Sequence, residues 1–537
     1  MFDISWTQVV VKMLKVLDLF AGAGGLSLGF FQTGNYEIVA AAESNRHAQQ
    51  TFLKNHGNVL MIPNVVGYDF SKLKDDLDGI DVIIGGPPCQ GFSNANRQKS
   101  TVVCGNNSLV KDFFRAIKEI RPRAFVMENV TMLQSDKHRF YDTTIDHDEI
   151  IALGIKLKDD IIHLSEQEIT GIDLLSIIQD KTLLSKSSFP DKLYAVLKTL
   201  HKNREAKERL EKFLDKNATS IVKQIEECIS STQDIDSFFI NLLRAIQDGL
   251  ARHQEIDFFV KQLSLLLDCQ KTLRKALEIY DNEIICSFSS HNSSKHLIAN
   301  VKSYSVIDYI DAILGDDYIQ KGTVINAKWY GVPQERWRYI VIGVCKDTFK
   351  NKTLEVFDEP DAVPNITVGE AILDLQECEV SFDKDAPGVL VPKPNEPLSG
   401  YAKQMRSDDL LFNHITTKTT PEAMTRFKAL KEGENFHDLP IELVGSYGKP
   451  ERTQNTIYLR LNSKECSGTV VNVRKSMWVH PKLDRALTVR EAARLQSFPD
   501  SFTFVGTKDS QYQQVGNAVP PLMAKAIAEK VADYIEA

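Results

Sequence analysis

The stretch Val82-Ile83-Ile84-Gly85-Gly86-Pro87-Pro88-Cys89-Gln90-Gly91-Phe92-Ser93 constrains the fold more than any other. A short apolar run reads as a buried strand, and two glycines followed by two prolines end it. The next residue is a cysteine on a proline-stiffened turn. In open α/β sheets ligands bind at the carboxyl edge of the strands. Cys89 therefore stands where a nucleophile would. A buried cysteine in a turn more often serves packing, so its surroundings must decide.

Those surroundings alternate between strand-like and helix-like stretches. Lys15–Phe20 reads as a short strand, and residues 24–33 open a helix. Tyr36–Ala42 is a second strand ending at Glu43, with a helix from Asn45 to about His56. Asp81–Ile84, Ser108–Ile120 and Ala124–Met127 continue the pattern as strand, helix and strand, the last leading into Glu128. Such alternation predicts a parallel sheet with right-handed crossovers. The pattern resumes at Thr323–Asn326 and Arg338–Val344, and Leu522–Ile535 carries an apolar stripe suited to packing on that sheet.

Between these parts the chain changes character. Leu193–Leu214 and Phe258–Tyr280 space apolar residues by three and four, as amphipathic helices do, and residues 172–248 contain no glycine. Between Ser135 and Gly322 lie 31 Asp and Glu against 24 Lys and Arg, leaving 41 against 40 elsewhere. The formal charge of −8 thus belongs mostly to this segment, and the remainder can still present a basic groove to phosphates. At 537 residues, two or three domains are expected. No stretch of about 18 apolar residues suggests a membrane span, and the N-terminus lacks a signal-peptide layout. The eight cysteines form no CxxC pair, which argues against a zinc site or disulfide framework and for a reducing cytoplasm.

Asp18-Leu19-Phe20-Ala21-Gly22-Ala23-Gly24-Gly25 joins a strand to a helix. Glycines there let the backbone approach a nucleotide, and an acid about 20 residues further on, here Glu43, commonly accepts from ribose hydroxyls. The pattern alone does not separate a dinucleotide from a nucleoside cofactor lacking phosphate. Further on stand Glu128-Asn129-Val130, Gln334-Glu335-Arg336-Trp337-Arg338, Arg485–Asp500 (RALTVREAARLQSFPD) and Gln514-Val515-Gly516-Asn517-Ala518-Val519.

Taken together and in this order, these blocks resemble the DNA (cytosine-5) methyltransferase family, over about 1–134 and 323–537. The resemblance implies a Rossmann-like class I methyltransferase domain of α/β type, with a helical insertion and a smaller, mixed target-recognition domain. It implies S-adenosyl-L-methionine as cofactor, no metal, and double-stranded DNA as partner. Methyl transfer to C5 of a cytosine would begin with Cys89 adding to C6 of a base flipped from the duplex. Glu128 would serve N3 and the exocyclic amine, Arg336 the base's O2, and Arg338 the organisation of the site. Asp18, Phe20, Gly22, Gly24, Glu43, Ser44, Asp69, Phe70, Pro87, Leu109 and Asn517 would line the cofactor pocket. Residues 91–107 would form a lid with Arg97 and Lys99 toward phosphates.

The expected organisation is catalytic over 1–134, an inserted helical accessory domain over 135–322, and catalytic again over 323–375. A target-recognition region over 376–480 and a C-terminal part over 481–537, returning to the cofactor pocket, complete it. A monomeric, cytoplasmic bacterial enzyme paired with a separate restriction endonuclease is expected, since no Asp…Glu-x-Lys nuclease core stands out in the insertion. Two alternatives remain open at this stage. A tRNA-directed member of the family would usually carry a Cys-Phe-Thr element, which is absent here. A silent DNA-binding regulator would not need intact Cys89, Glu128, Arg336 and Arg338.

Overall fold

The computed structural model describes residues 13–535 except 89–107, 135–138, 167, 205–206, 232–235, 252–258, 292–295, 350–352, 356, 393–396, 407–409 and 446–449. Cys89 and the expected lid at 91–107, with Arg97 and Lys99, lie outside the described residues. The chain forms two compact units, one from residues 13–88, 108–133 and 314–535, the other from 134–313.

The first unit is built on strands β1 (Leu14–Leu19), β2 (Tyr36–Ala42), β3 (Leu60–Ile62), β4 (Val82–Gly85) and β5 (Ala124–Asn129). Helices Gly25–Phe31, Arg46–His56, Phe70–Asp76 and Ser108–Ile120 connect them in turn. All pairings among these strands are parallel. Val82, Ile83 and Ile84 are fully buried, and each contributes roughly 1.5–3 kcal/mol by leaving water.

The second unit carries a sheet of its own besides its helices. Strands β6 (Arg139–Tyr141), β7 (Lys158–His163), β8 (Cys286–Ser290) and β9 (Leu297–Ser305) pair antiparallel. Helices Asp191–Asn203, Lys207–Ser231, Ser237–Ala251 and Val260–Asp281 share a core through Leu197, Ile221, Leu243, Leu266 and Leu273, which also takes in Ala299 and Val301 of β9. Gln270 is fully buried there, yet it accepts from Phe189 N at 2.9 Å and donates to Ser187 O at 2.9 Å.

The chain re-enters the first unit at β10 (Tyr318–Asn326), which hairpins into β11 (Trp337–Cys345). The seven strands lie in the order β10-β11-β5-β4-β1-β2-β3, with β11 antiparallel to β5. The order reverses beside β1, so the carboxyl ends of β1 and β4 form the edge where such sheets bind ligands. Helix Pro521–Ile535 packs along helix Gly25–Phe31, burying Met523, Ile527 and Val531. Among the described residues, no helix is long and apolar enough to cross a membrane.

Candidate active site

One register row sets the site. Ala42, Leu19, Gly85 and Met127 are successive partners across β2, β1, β4 and β5. The next residue of each strand is therefore Glu43, Phe20, Gly86 or Glu128, and all four emerge at one edge. Backbone pairing alone brings the glycine-rich loop, the turn before Cys89 and the Glu-Asn-Val block together.

At the loop, Phe20, Gly22 and Gly24 all have positive φ, at 61°, 57° and 95°. Gly22 N donates to Glu43 Oε2 at 2.9 Å, and Asn45 N donates to Glu43 Oε1 at 2.6 Å. Glu43 thus ties the loop to the start of helix Arg46–His56. Asp18 is 1% exposed and its Oδ2 accepts from Ser27 Oγ at 2.6 Å, while Oδ1 has no partner. Burial pushes this carboxyl up to about 7, Glu43's charge adding to the rise and Ser27 opposing it. A buried carboxyl oxygen without a donor, beside a second acid, suits a ligand carrying positive charge and disfavours a pyrophosphate. The residues present fit S-adenosylmethionine in that respect.

At the turn, Gly85 and Gly86 allow two close approaches. A Cβ on Gly85 would stand 2.2 Å from Leu19 O, and one on Gly86 would stand 3.0 Å from Glu128 Oε2. Pro87 is buried and its carbonyl accepts from Asn129 Nδ2 at 3.2 Å. Asn129 therefore fastens the turn to the end of β5.

Glu128 is also met from β11. Arg338 Nε lies 2.7 Å from Glu128 Oε1, with the two side chains 15% and 13% exposed. Arg336 is 2% exposed and spends its amino groups elsewhere, Nη1 on Val470 O at 3.1 Å and Nη2 on Gly516 O at 3.2 Å. Burial, and then the charge of Arg338, push the Arg336 guanidinium well below its usual value, against the pull of Glu128. Arg338, expected to organise the site, sits with Glu128, while Arg336, expected at the base's O2, bonds Val470 O and, just before Asn517, Gly516 O.

The remaining expected residues are spread more widely. Ser44 is exposed and Leu109 is half-buried on the first turn of its helix. Asn517 is exposed at the end of helix Lys508–Asn517 and accepts from Gln513 Nε2 at 2.7 Å. Asp69 caps helix Phe70–Asp76 through Lys72 N, and Phe70 is fully buried with Arg115 over its ring at 5.0 Å. Ser27, which bonds Asp18, escaped the sequence reading, as nothing in its local pattern marks it. Among the described residues, no group of three or more His, Cys, Asp or Glu could hold a metal ion.

A family model of C-5 cytosine-specific DNA methylase matches residues 14–166 and 294–533. The chain belongs to that family. As a DNA (cytosine-5)-methyltransferase it falls in a class that transfers a methyl group from S-adenosylmethionine to cytosine C5. This methylase is 26% identical over 543 residues to the type II methyltransferase M.DdeI of Desulfomicrobium norvegicum, covering 97% of this chain and 89% of that protein. It is 24% identical over 538 residues to the type II methyltransferase M1.HphI of Haemophilus parahaemolyticus, covering 99% and 90%. A crystal structure of a putative prophage-encoded DNA modification methyltransferase (E. coli) superposes with a TM-score of 0.53 at 19% identity, over 98% of this chain and 100% of that one. The methylase shares that fold, a Rossmann-like class I methyltransferase.

Proposed function

We propose that this methylase marks one cytosine within a short double-stranded DNA sequence, using Cys89 as a covalent nucleophile on a flipped base. The observation that carries the reading is the convergence of Glu128, its partner Arg338 and the Gly86–Pro88 turn at one sheet edge, with Cys89 next in the chain. A stacked cytosine is out of reach of any such edge, so the base must leave the duplex.

In this reading the Cys89 thiolate adds to C6 and the ring's N3 takes a proton from the Glu128 side, which makes C5 enamine-like. Arg338 orients Glu128 and presents its guanidinium toward the base's O2. S-adenosylmethionine, held by Asp18, Phe20, Gly22, Gly24 and Glu43 with Asn517 nearby, supplies an electrophilic methyl group when bound. Loss of the C5 proton to water then returns an electron pair to the ring, Cys89 leaves as thiolate, and N3 gives its proton back to Glu128. Residues 91–107 would close over the base. M.DdeI and M1.HphI are named type II methyltransferases, which supports pairing with a cognate endonuclease as a separate chain. A cytoplasmic monomer and an accessory role for the second unit, in protein contact or in shaping the DNA cleft, complete the proposal.

The test is single-base sequencing of cytosine methylation in DNA from cells expressing the wild type or Cys89→Ala. Methylation at one short motif, lost in the variant, is the expected result. Methylation that survives Cys89→Ala would overturn the nucleophile, and none from either protein would overturn the reading as an active DNA enzyme.

A further inference from the structure

Helix Arg46–His56 ends against the glycine-rich loop. His56 Nε2 lies 3.2 Å from Gly24 O. Burial pushes the imidazole down to about 4, so near neutral pH the ring is uncharged and carries one N–H. A carbonyl can only accept, which places that hydrogen on Nε2. The same carbonyl accepts from Leu28 N at 2.9 Å, the first hydrogen bond of helix Gly25–Phe31. Both acceptor positions of Gly24 O are thereby engaged.

The ring also fills the space a side chain at position 24 would need. A Cβ on Gly24 would stand 2.4 Å from His56 Nε2 and 2.9 Å from Phe52 Cδ2. The imidazole is itself held by Phe52, with centroids 4.4 Å apart, and by the edge of Phe502 at 6.3 Å. One residue earlier, Asn55 exchanges two hydrogen bonds with Thr503, donating to its carbonyl at 2.9 Å and accepting from its N–H at 2.8 Å. Thr51 Oγ1 accepts from Val505 N at 2.8 Å. The helix end is thus fixed to the 503–505 segment while His56 reaches the loop.

We infer that His56 is a positioning residue for methyl-donor binding, its N–H holding the Gly24 carbonyl and its ring holding Gly24 left-handed. The Phe20–Gly25 loop is then set before the donor arrives, so binding does not have to order it. This rests on the reading of that loop as the donor site. Packing alone would need the ring's volume but no donor, which gives the inference its test.

The experiment measures S-adenosylhomocysteine affinity by calorimetry for the wild type, His56→Leu, His56→Gln and Phe20→Ala, with donor KM, kcat and melting temperature alongside. Loss of one buried hydrogen bond predicts about five- to tenfold weaker binding for His56→Leu, and a KM rise of similar size with kcat within about twofold. His56→Gln restores an N–H and should return affinity to within about twofold of wild type. Wild-type affinity in His56→Leu would overturn the role of His56. Equal weakening in both His56 variants, in step with lost melting temperature, would also overturn it, because only packing would then be at work. Wild-type affinity in Phe20→Ala would instead overturn the donor site itself.

Discussion

Arg338 and Glu128 bridge β11 and β5 through an Nε–Oε1 contact of 2.7 Å at the edge proposed as catalytic. Ile340 is the register partner of Glu128, so Arg338 lies two residues before that partner on β11 and reaches back. Removing the guanidinium leaves a mostly buried carboxylate without its cation. Arg338→Ala should lower kcat by about 10- to 100-fold, the worth of a charge-assisted hydrogen bond. Donor affinity should stay unchanged, as read by labelled-methyl transfer and calorimetry. A kcat within twofold of wild type would sink the assignment. Arg336→Leu should act differently, leaving Val470 O and Gly516 O without donors and lowering the melting temperature.

The neighbouring glycines separate stability from catalysis. Gly85→Ala puts a methyl 2.2 Å from Leu19 O and 3.0 Å from Phe113, inside the sheet where nothing can give. It should cost about 1–3 kcal/mol or more through overpacking. Gly86→Ala meets only the end of the Glu128 carboxylate at 3.0 Å, which can swing aside. That variant should keep its melting temperature and, with Glu128 in its proposed catalytic role, lose about tenfold or more in kcat, since small displacements of a catalytic group are costly. Comparing melts with initial rates for the two variants decides the matter.

Much of this geometry was legible in the sequence. Tyr36–Ala42 and Ser108–Ile120 are observed with the boundaries their patterns predict. Strongly periodic or continuous apolar runs left little choice there. The sequence pattern of the second unit signals helices only, because Lys158–His163 (KDDIIH) and Cys286–Ser290 (CSFSS) hold too few apolar residues to mark strands. Both are held by pairing with β9, which lies far along the chain from β7 and a short hairpin connection away from β8. Leu193–Leu214 is interrupted, with one helix ending at Asn203 and the next starting at Lys207. The separate tasks of Arg336 and Arg338 were not legible, since both point to one face of a strand and only the facing elements distinguish them.

The block Arg485–Asp500 is held by charges rather than apolar packing alone. Glu491 is fully buried, caps its own helix with Thr488, and receives Arg485 Nη2 at 2.6 Å and Nη1 at 2.8 Å. Burial alone would raise its carboxyl, but the charge and hydrogen bonds of Arg485 hold it well below the usual carboxylate range. Glu491→Gln leaves Arg485 without its counter-charge and should destabilise the fold by about 3–5 kcal/mol near pH 7. A depressed folded-state value gives stability that is present above the unfolded value and lost as pH falls. The gap between variant and wild type in urea midpoints should therefore narrow toward acid.

Asp18 makes the opposite prediction. Its carboxyl rises from 3.8 to about 7 in the folded chain. Between those values the unfolded chain gives up a proton that the folded chain keeps, so this group's contribution to stability falls as pH rises. Below the unfolded value both states are protonated and the penalty vanishes; above about 7 it is complete. Asparagine cannot ionise and keeps an oxygen for Ser27 Oγ. Asp18→Asn should therefore melt above wild type in ligand-free protein, by a margin that grows from pH 5 to pH 8 toward roughly 4 kcal/mol. On the proposed donor site the same change removes an acid that would meet the donor's sulfonium, so S-adenosylmethionine affinity should fall while stability rises. Melting curves at the two pH values test the first half and calorimetry the second. A margin that is flat or shrinks with pH would show that Asp18 is already ionised in the folded, ligand-free protein.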